Sequence, residues 1–197
     1  MQPLAERLRP QALSDYVGQK KIIGEGTALR NAIKNKLLPS IIFWGPPGVG
    51  KTSLALIIAN ELKRPFYSLS AINSGVKDVR EVIEKASDKN IFNVEKPVLF
   101  IDEIHRFSKS QQDSLLSAVE KGVVTLIGAT TENPSFEVIP ALLSRSQIYV
   151  LEHLSESELV GILQHAISED IILKTKHVDL KETDALIRVS GETLVNY

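Results

Sequence analysis

Five short apolar runs punctuate the chain: SIIFW at 40–44, PFYSL at 65–69, PVLFI at 97–101, VVTLIG at 123–128 and QIYVL at 147–151. In each, the apolar residues are contiguous and do not alternate with polar ones, the pattern of a parallel strand covered on both faces. Between the runs the apolar positions shift to helical spacing: Leu54, Ile57, Ile58 and Leu62 after Lys51, then Val79, Val82, Ile83 and Ala86 after Asp78, then Leu115, Leu116 and Val119 after Ser110. Strand and helix alternate, which predicts an α/β fold: a three-layer αβα sandwich around a five-stranded parallel sheet with right-handed crossovers.

The pattern changes after Leu151. Ser155 and Glu158 have the spacing of a capping box, and Leu159, Ile162, Leu163, Ala166 and Ile167 follow at helical spacing. A further helix is predicted over 181–189. The expected organisation is a core over residues 1–152, followed over 153–197 by the start of a small, incomplete α-helical lid domain.

Composition narrows the class without naming the chemistry. A chain of 197 residues that is 43% hydrophobic can build one sizeable core. With no cysteine there is no disulfide framework and no thiolate metal site, and the four histidines lack the paired spacing of a zinc site. Charges or prolines interrupt every apolar run well before membrane-spanning length, so the expectation is a cytoplasmic protein with no membrane partner. The net charge of -1 conceals a gradient, because residues 1–40 hold 7 Lys/Arg against 3 Asp/Glu while residues 151–197 hold 4 against 9. Lys20, Lys21, Arg30, Lys34 and Lys36 would either meet a polyanion or form only a solvated surface, and no aromatic stacking residue lies among them.

The strongest chemical signal follows the first run. Gly45 to Thr52, GPPGVGKT, matches G-x-x-x-x-G-K-[ST] in full, after an apolar strand and before a helical pattern. Glycines there let backbone N–H groups turn toward phosphate oxygens, and the positive end of the following helix points at the same anion. Lys51 would supply charge to the outer phosphates and the Thr52 hydroxyl is suited to Mg2+, while Pro46 and Pro47 stiffen the start of the loop. Gly45, Pro46, Pro47, Gly48, Val49, Gly50, Lys51, Thr52 and Ser53 are the candidate nucleotide-binding residues. The third run ends in Asp102 and Glu103, and unpaired carboxylates at the end of a buried strand are costly. In a P-loop fold that end lies beside the cradle, where Asp102 could hold Mg2+ through its water shell and Glu103 could polarise an attacking water.

Together with these, the stretches RPQALSDYVGQ, LFIDEIHRFSKSQQDSLLSAVE and LIGATTENPSFEVIPALLSRS resemble AAA+ ATPases of the clamp-loader and branch-migration group, and within it the Werner-helicase-interacting protein family. The resemblance spans about residues 4–170. It implies binding of ATP/ADP with Mg2+ and ATP hydrolysis, DNA (single-stranded, forked or gapped) as a partner, a homo-oligomer, possible replication proteins as partners, and a role in replication-fork maintenance or recombination repair. It also implies that Thr131 senses the terminal phosphate, with Thr130 and Asn133 as neighbouring alternatives. Arg145 resembles an arginine finger that serves ATP on a neighbouring subunit. Tyr16, Val17 and Gly18 resemble the segment lying over adenine, although Tyr16 serves equally as an anchor of the N-terminal arm. Relatives carry Gly-Asp-x-Arg in the lid; here Gly191, Glu192, Thr193 and Leu194 stand nearest and lack the arginine, and Arg188 lies earlier. The C-terminal region through which relatives assemble is not in this sequence, so hydrolysis by this stretch alone is expected to be weak. Two other functions stay open: a nucleotide-gated partner-binding platform that hardly hydrolyses, and a clamp-loader-type or Holliday-junction branch-migration ATPase.

Overall fold

The computed structural model describes residues 3–90, 96–176 and 178. Three short helices, α1 (Leu4–Arg7), α2 (Lys20–Ile23) and α3 (Ala28–Lys34), lead into β1 (Ser40–Trp44). The chain then alternates through α4 (Lys51–Glu61), β2 (Phe66–Ser70), α5 (Val76–Asn90), β3 (Val98–Asp102), a 3-10 turn (Ile104–Arg106), α6 (Lys109–Glu120) and β4 (Thr125–Thr130). Two single-turn helices, α7 (Pro134–Glu137) and α8 (Pro140–Leu143), precede β5 (Ser146–Val150), and α9 (Glu156–Glu169) and α10 (Ile171–Thr175) follow it. The strands form one sheet in the order β2-β3-β4-β1-β5, every pair parallel.

Side chains alternate across that sheet into two buried clusters, which makes the three layers. Ile41 and Phe43 of β1, Val98 and Phe100 of β3, and Ile127 and Ala129 of β4 join α4 and the N-terminal helices on one face. Ile42, Leu99, Ile101 and Leu126 join α5, α6 and α8 on the other. The three inner strands are buried along nearly their whole length, as contiguous apolar runs require. The expectation of five fully covered strands fails at β2 and β5, which are half-exposed. Both sit at the edges of the sheet, where helices cover less, and Ile148 and Val150 of β5 face solvent.

A second difference concerns α4. Leu54, Ala55, Ile57, Ile58 and Ala59 are all buried, around more of the helix than a single apolar stripe. The same cluster takes in Leu13, Ile22, Ile23, Leu29 and Ile33, so the N-terminal segment is part of the core and not a detached basic arm. Polar ties also join this segment to the chain beyond β5. The Gln19 side-chain amide donates to the Glu152 carbonyl at 2.7 Å and accepts from the Glu152 N–H at 3.1 Å, and Lys21 pairs with the Glu152 carboxylate at 2.8 Å. The predicted helix over 181–189, Arg188 and residues 191–194 lie outside the described residues. Among the described residues no helix is long and apolar enough to cross a membrane.

The tie between the two ends of the described chain is an ion pair. Arg7 donates Nε to Asp170 Oδ2 at 2.8 Å and Nη2 to Oδ1 at 3.0 Å, while Asp170 Oδ1 also accepts from the N–H groups of Ile172 and Leu173 and so caps α10. The Arg7 hydrogen bond, helped by the two N–H groups and opposed by burial, holds the Asp170 carboxyl down to about 2 from an ordinary 3.8. A depressed carboxyl stabilises the fold in full above its ordinary value and loses that contribution as the pH falls through the folded value. Thermal melting of Asp170→Asn is therefore expected to show a lower midpoint than the wild type at neutral pH, with the gap closing as the pH drops from about 4 toward 2. A gap of constant size across that range would show that the ion pair contributes nothing.

Candidate nucleotide site

Because the strands are parallel, the loops after their C-terminal ends share one edge of the sheet. The order β3-β4-β1 places Glu103, Thr131 and the loop 45–50 next to one another along it. The chain leaves β1 toward β2 on one flank and returns to β5 on the other, the kind of switch point at which open α/β sheets bind ligands.

The loop is built by glycines where no other residue fits. Gly48 and Gly50 have φ of 77° and 94°, in the left-handed region that glycine alone enters without strain. A Cβ on Gly50 would lie 2.6 Å from the Tyr16 hydroxyl, and one on Gly45 would run into the Leu151 carbonyl. The Tyr16 hydroxyl is buried and donates to the Val49 carbonyl at 3.2 Å. Burial raises its pKa further, so it remains a neutral donor. Tyr16 thus holds the loop from behind. Val17 is exposed, and Gly18, with φ 84°, sits against Leu154.

The helix that follows has Gly50 at its N-cap and no side-chain cap. By contrast, α6 and α9 begin with complete serine capping boxes. The first N–H groups of α4 therefore have no side-chain acceptor and point into the loop's concavity, the arrangement that receives an anion. Lys51, 7% exposed, donates to the carbonyls of Gly45 and Pro46 at 2.7 Å each. Burial lowers its pKa, and the carboxylates of Glu103 and Asp102 raise it. Burial and the neighbouring Glu103 raise the Asp102 carboxyl, while the Glu103 N–H and Lys51 lower it. Two carboxylates thus share one ammonium, an imbalance that a divalent cation would relieve. Among the described residues no group of three acidic or histidine side chains converges on a metal position. A magnesium site using Thr52, Asp102, water and phosphate oxygens fits this donor set, since Mg2+ usually keeps several waters and few protein ligands.

Glu103 is one of few non-glycine residues at positive φ, 53°, strain of the kind that collects at functional sites. Its Oε2 accepts from the Thr131 N–H at 3.4 Å and the Thr131 hydroxyl at 3.3 Å. Of the three sensor candidates, Thr131 is therefore the one in contact with the candidate base. Thr130 is buried and bonded into its own turn through Glu132, and Asn133 caps α7 by accepting from the Ser135 N–H at 3.0 Å.

Arg145 lies at the opposite edge. It precedes β5, and a strand of that length separates the two edges by about 16 Å, more than its side chain spans. Its guanidinium pairs with Glu120 at 2.7 Å and donates to the Ala141 carbonyl at 2.8 Å and the Ser144 hydroxyl at 3.1 Å. The larger cavity, about 620 Å3, lies there too, lined by Leu38, Ser40, Lys96, Glu120, Thr125 and Arg145. A smaller one of about 190 Å3, lined by Lys20, Ile22, Val150, His153 and Glu158, opens on the cradle's edge just after the Tyr16–Gly18 run.

Sequence reasoning missed the two glutamines of KSQQD. Gln112, 2% exposed, donates to the carbonyls of Phe107 and Glu137 at 3.0 and 3.1 Å and accepts from the Ile139 N–H at 2.9 Å. It bolts α6 to the segment between the sensor threonines and Arg145. Gln111 completes the capping box and donates to the Ser74 carbonyl at 3.1 Å. The spacing of Ser108 and Gln111 carried the capping signal, but nothing local marks Gln112 as buried.

Residues 41–154 match the family described as ATPase family associated with various cellular activities (AAA). The chain is 50% identical over 167 residues to replication-associated recombination protein A of Haemophilus influenzae, covering 85% of this chain and 37% of that protein. It is 44% identical over 180 residues to ATPase WRNIP1 of Dictyostelium discoideum, covering 91% of this chain and 20% of that one. Among solved structures, the Thermotoga maritima RuvB Holliday junction branch migration motor superposes with a TM-score of 0.66 at 34% identity, covering 82% of this chain and 54% of that one. The chain thus spans less than two fifths of the length of these curated relatives. A strand-borne phosphate loop, the acidic end of β3 and these matches agree: the chain belongs to the AAA ATPase family.

Proposed function

We propose that this chain binds ATP with Mg2+ and hydrolyses its terminal phosphate anhydride, and that the whole protein uses this turnover to switch its grip on DNA at replication forks or recombination intermediates. The observation that carries the reading is the meeting of Lys51, Asp102, Glu103 and Thr131 along one edge, at or beyond the C-terminal ends of three adjacent strands. The loop N–H groups and the start of α4 receive the phosphates, and Lys51 exchanges its loop carbonyls for phosphate oxygens. Thr52, and Asp102 through the ion's water shell, would hold Mg2+, which would supply charge neutralisation to the outer phosphates. Glu103 orients a water and takes its proton, and Thr131, bonded to the Oε2 of that carboxylate, registers the terminal phosphate. In this reading the base lies by Tyr16–Gly18, toward the cavity that the following residues Gln19–Ile22 line.

Arg145 belongs to the neighbouring copy's site in this reading, because its own cradle is out of reach. A guanidinium entering from outside stabilises transition-state charge and makes hydrolysis depend on assembly, so a homo-oligomer is the working form. The Glu120 pair is half-exposed on both sides, and such a pair is worth at most about 1 kcal/mol, weak enough for a phosphate to replace it. DNA as partner, with other replication proteins, and a cytoplasmic, nucleoid-associated setting complete this reading; relatives named for replication and recombination support it. A second reading is a nucleotide-gated binding platform with little turnover. It is favoured by the occupied state of both cations, Lys51 on its loop and Arg145 on Glu120.

ATP turnover measured with and without forked and single-stranded DNA tests the proposal. Lys51→Ala is expected to reduce turnover at least 100-fold and Glu103→Gln to do likewise while retaining ATP binding; unchanged turnover in Lys51→Ala, or indifference of the wild type to DNA, contradicts it. Tyr16→Phe, which removes the hydroxyl from Val49 and leaves the ring in the core, is expected to weaken ATP affinity by roughly fivefold, the worth of one hydrogen bond. Equilibrium binding of a fluorescent ATP analogue measures it, and wild-type affinity would show that the anchor has no bearing on the loop.

A further inference from the structure

The 3-10 turn Ile104–Arg106 that follows Glu103 brings the His105 ring against the ends of β3 and β4. His105 Nδ1 lies 3.2 Å from Glu103 Oε2 and 3.0 Å from Thr130 Oγ1, and the side chain is only 11% exposed. The proton positions follow from the partners. Thr130 Oγ1 is 3.1 Å from the Glu132 carbonyl, which can only accept, and 3.0 Å from the Glu132 N–H, which can only donate. A hydroxyl has one proton, and it is committed to the carbonyl. His105 Nδ1 must therefore carry the hydrogen it shares between Thr130 Oγ1 and the Glu103 carboxylate. The carboxylate demands the same, since a bare nitrogen lone pair at that distance would repel it. Two acceptors, one just after β3 and one at the end of β4, thus fix both the tautomer and the plane of the ring.

The consequence falls on Glu103. Three groups hold its Oε2, two of them through the long Thr131 bonds of 3.3 and 3.4 Å, and the His105 contact is the shortest. Among the described residues these three bonds all fall on Oε2 and none on Oε1. We infer that His105 is a positioning residue for the base: it clamps Oε2 to the end of β4 and leaves Oε1 directed at the water. This rests on the ATPase reading above. His105 touches neither phosphate nor water in this account and acts only through Glu103 and Thr130.

Asparagine separates positioning from filling, because its Nδ2 lies close to where histidine carries Nδ1, whereas the amide of glutamine reaches the position of Nε2. Steady-state ATP turnover of three variants makes the test. His105→Ala is expected to lower kcat about tenfold, a part of what a general base contributes, with KM for ATP within about twofold of wild type. His105→Asn is expected to recover to within about threefold of wild type, and His105→Gln to stay near His105→Ala. A kcat for His105→Ala within about twofold of wild type, or an asparagine variant no better than alanine, overturns the inference. If Lys51→Ala also left turnover unchanged, the ATPase reading itself would have failed; if Lys51→Ala abolishes turnover, the failure belongs to His105 alone. A second measurement needs no turnover. Long-range 1H–15N NMR on the nucleotide-free protein at about pH 8, where an ordinary histidine is neutral, reads the tautomers of the four histidines, and the His105→Asn spectrum assigns the signal. Protonated Nδ1 is expected, with a change in its shift in Glu103→Gln; protonated Nε2 contradicts the network.

Discussion

The parallel polarity of five strands is the constraint on which the rest of the molecule depends. Each connection crosses one face of the sheet, α4 over one and α5 and α6 over the other, and returns the chain to the end where the strand began, so every loop that follows a strand falls on one edge and every loop that precedes one falls on the other. The phosphate loop, the paired acids and Thr131 just after β4 meet because of this rule and not because of any long-range attraction between them. The same rule exiles Arg145, which precedes β5, to the far edge. A chain with this topology carries, in the proposed mechanism, the larger part of one site and a single residue of another.

The charges at the cradle are poised and not neutralised. Lys51 is buried deeply enough for burial to lower its pKa, and it leans on carbonyls of its own loop; the two acids beside it share its charge, and Asp102 is raised by burial and by Glu103. Such an arrangement favours a ligand that brings anionic oxygens to the lysine and a divalent cation to the acids together. The loop's shape is fixed beforehand by two left-handed glycines and by Tyr16 behind Val49, so little ordering is left for the moment of binding.

Much of this was legible in the chain, and the failures have physical reasons. The strand runs lie within two residues of the observed strands because contiguous apolar residues between helical patterns have few other uses. The capping box at Ser155 and Glu158 formed as its spacing requires. What local pattern cannot carry is which strand will be an edge, since that depends on sheet order; hence the exposure of β2 and β5 came only with the structure. The burial of α4 on several sides depends on a cover, the N-terminal helices, that lies far from it in sequence. No local pattern marks Gln112 as buried, and only the approach of Glu137 and Ile139 gives its amide buried partners. The choice between Thr130 and Thr131 turned on one residue of register at the end of β4, below what periodicity resolves. His105, marked only as part of a family signature, acquires a definite partner set once the 3-10 turn is in place.

The claim that cradle and finger belong to different copies is the one from which the others gain their meaning, and mixing two inactive variants tests it most directly. In the whole protein, Lys51→Ala keeps a working Arg145 and lacks a cradle, while Arg145→Ala keeps a cradle and lacks the finger. The account predicts that each alone is nearly silent and that the mixture recovers ATP turnover well above the sum of its parts, about a quarter of the wild-type rate per site if copies mix at random and each active site needs one intact cradle beside one intact finger. A mixture no more active than its components, with both variants shown to assemble together, would contradict it.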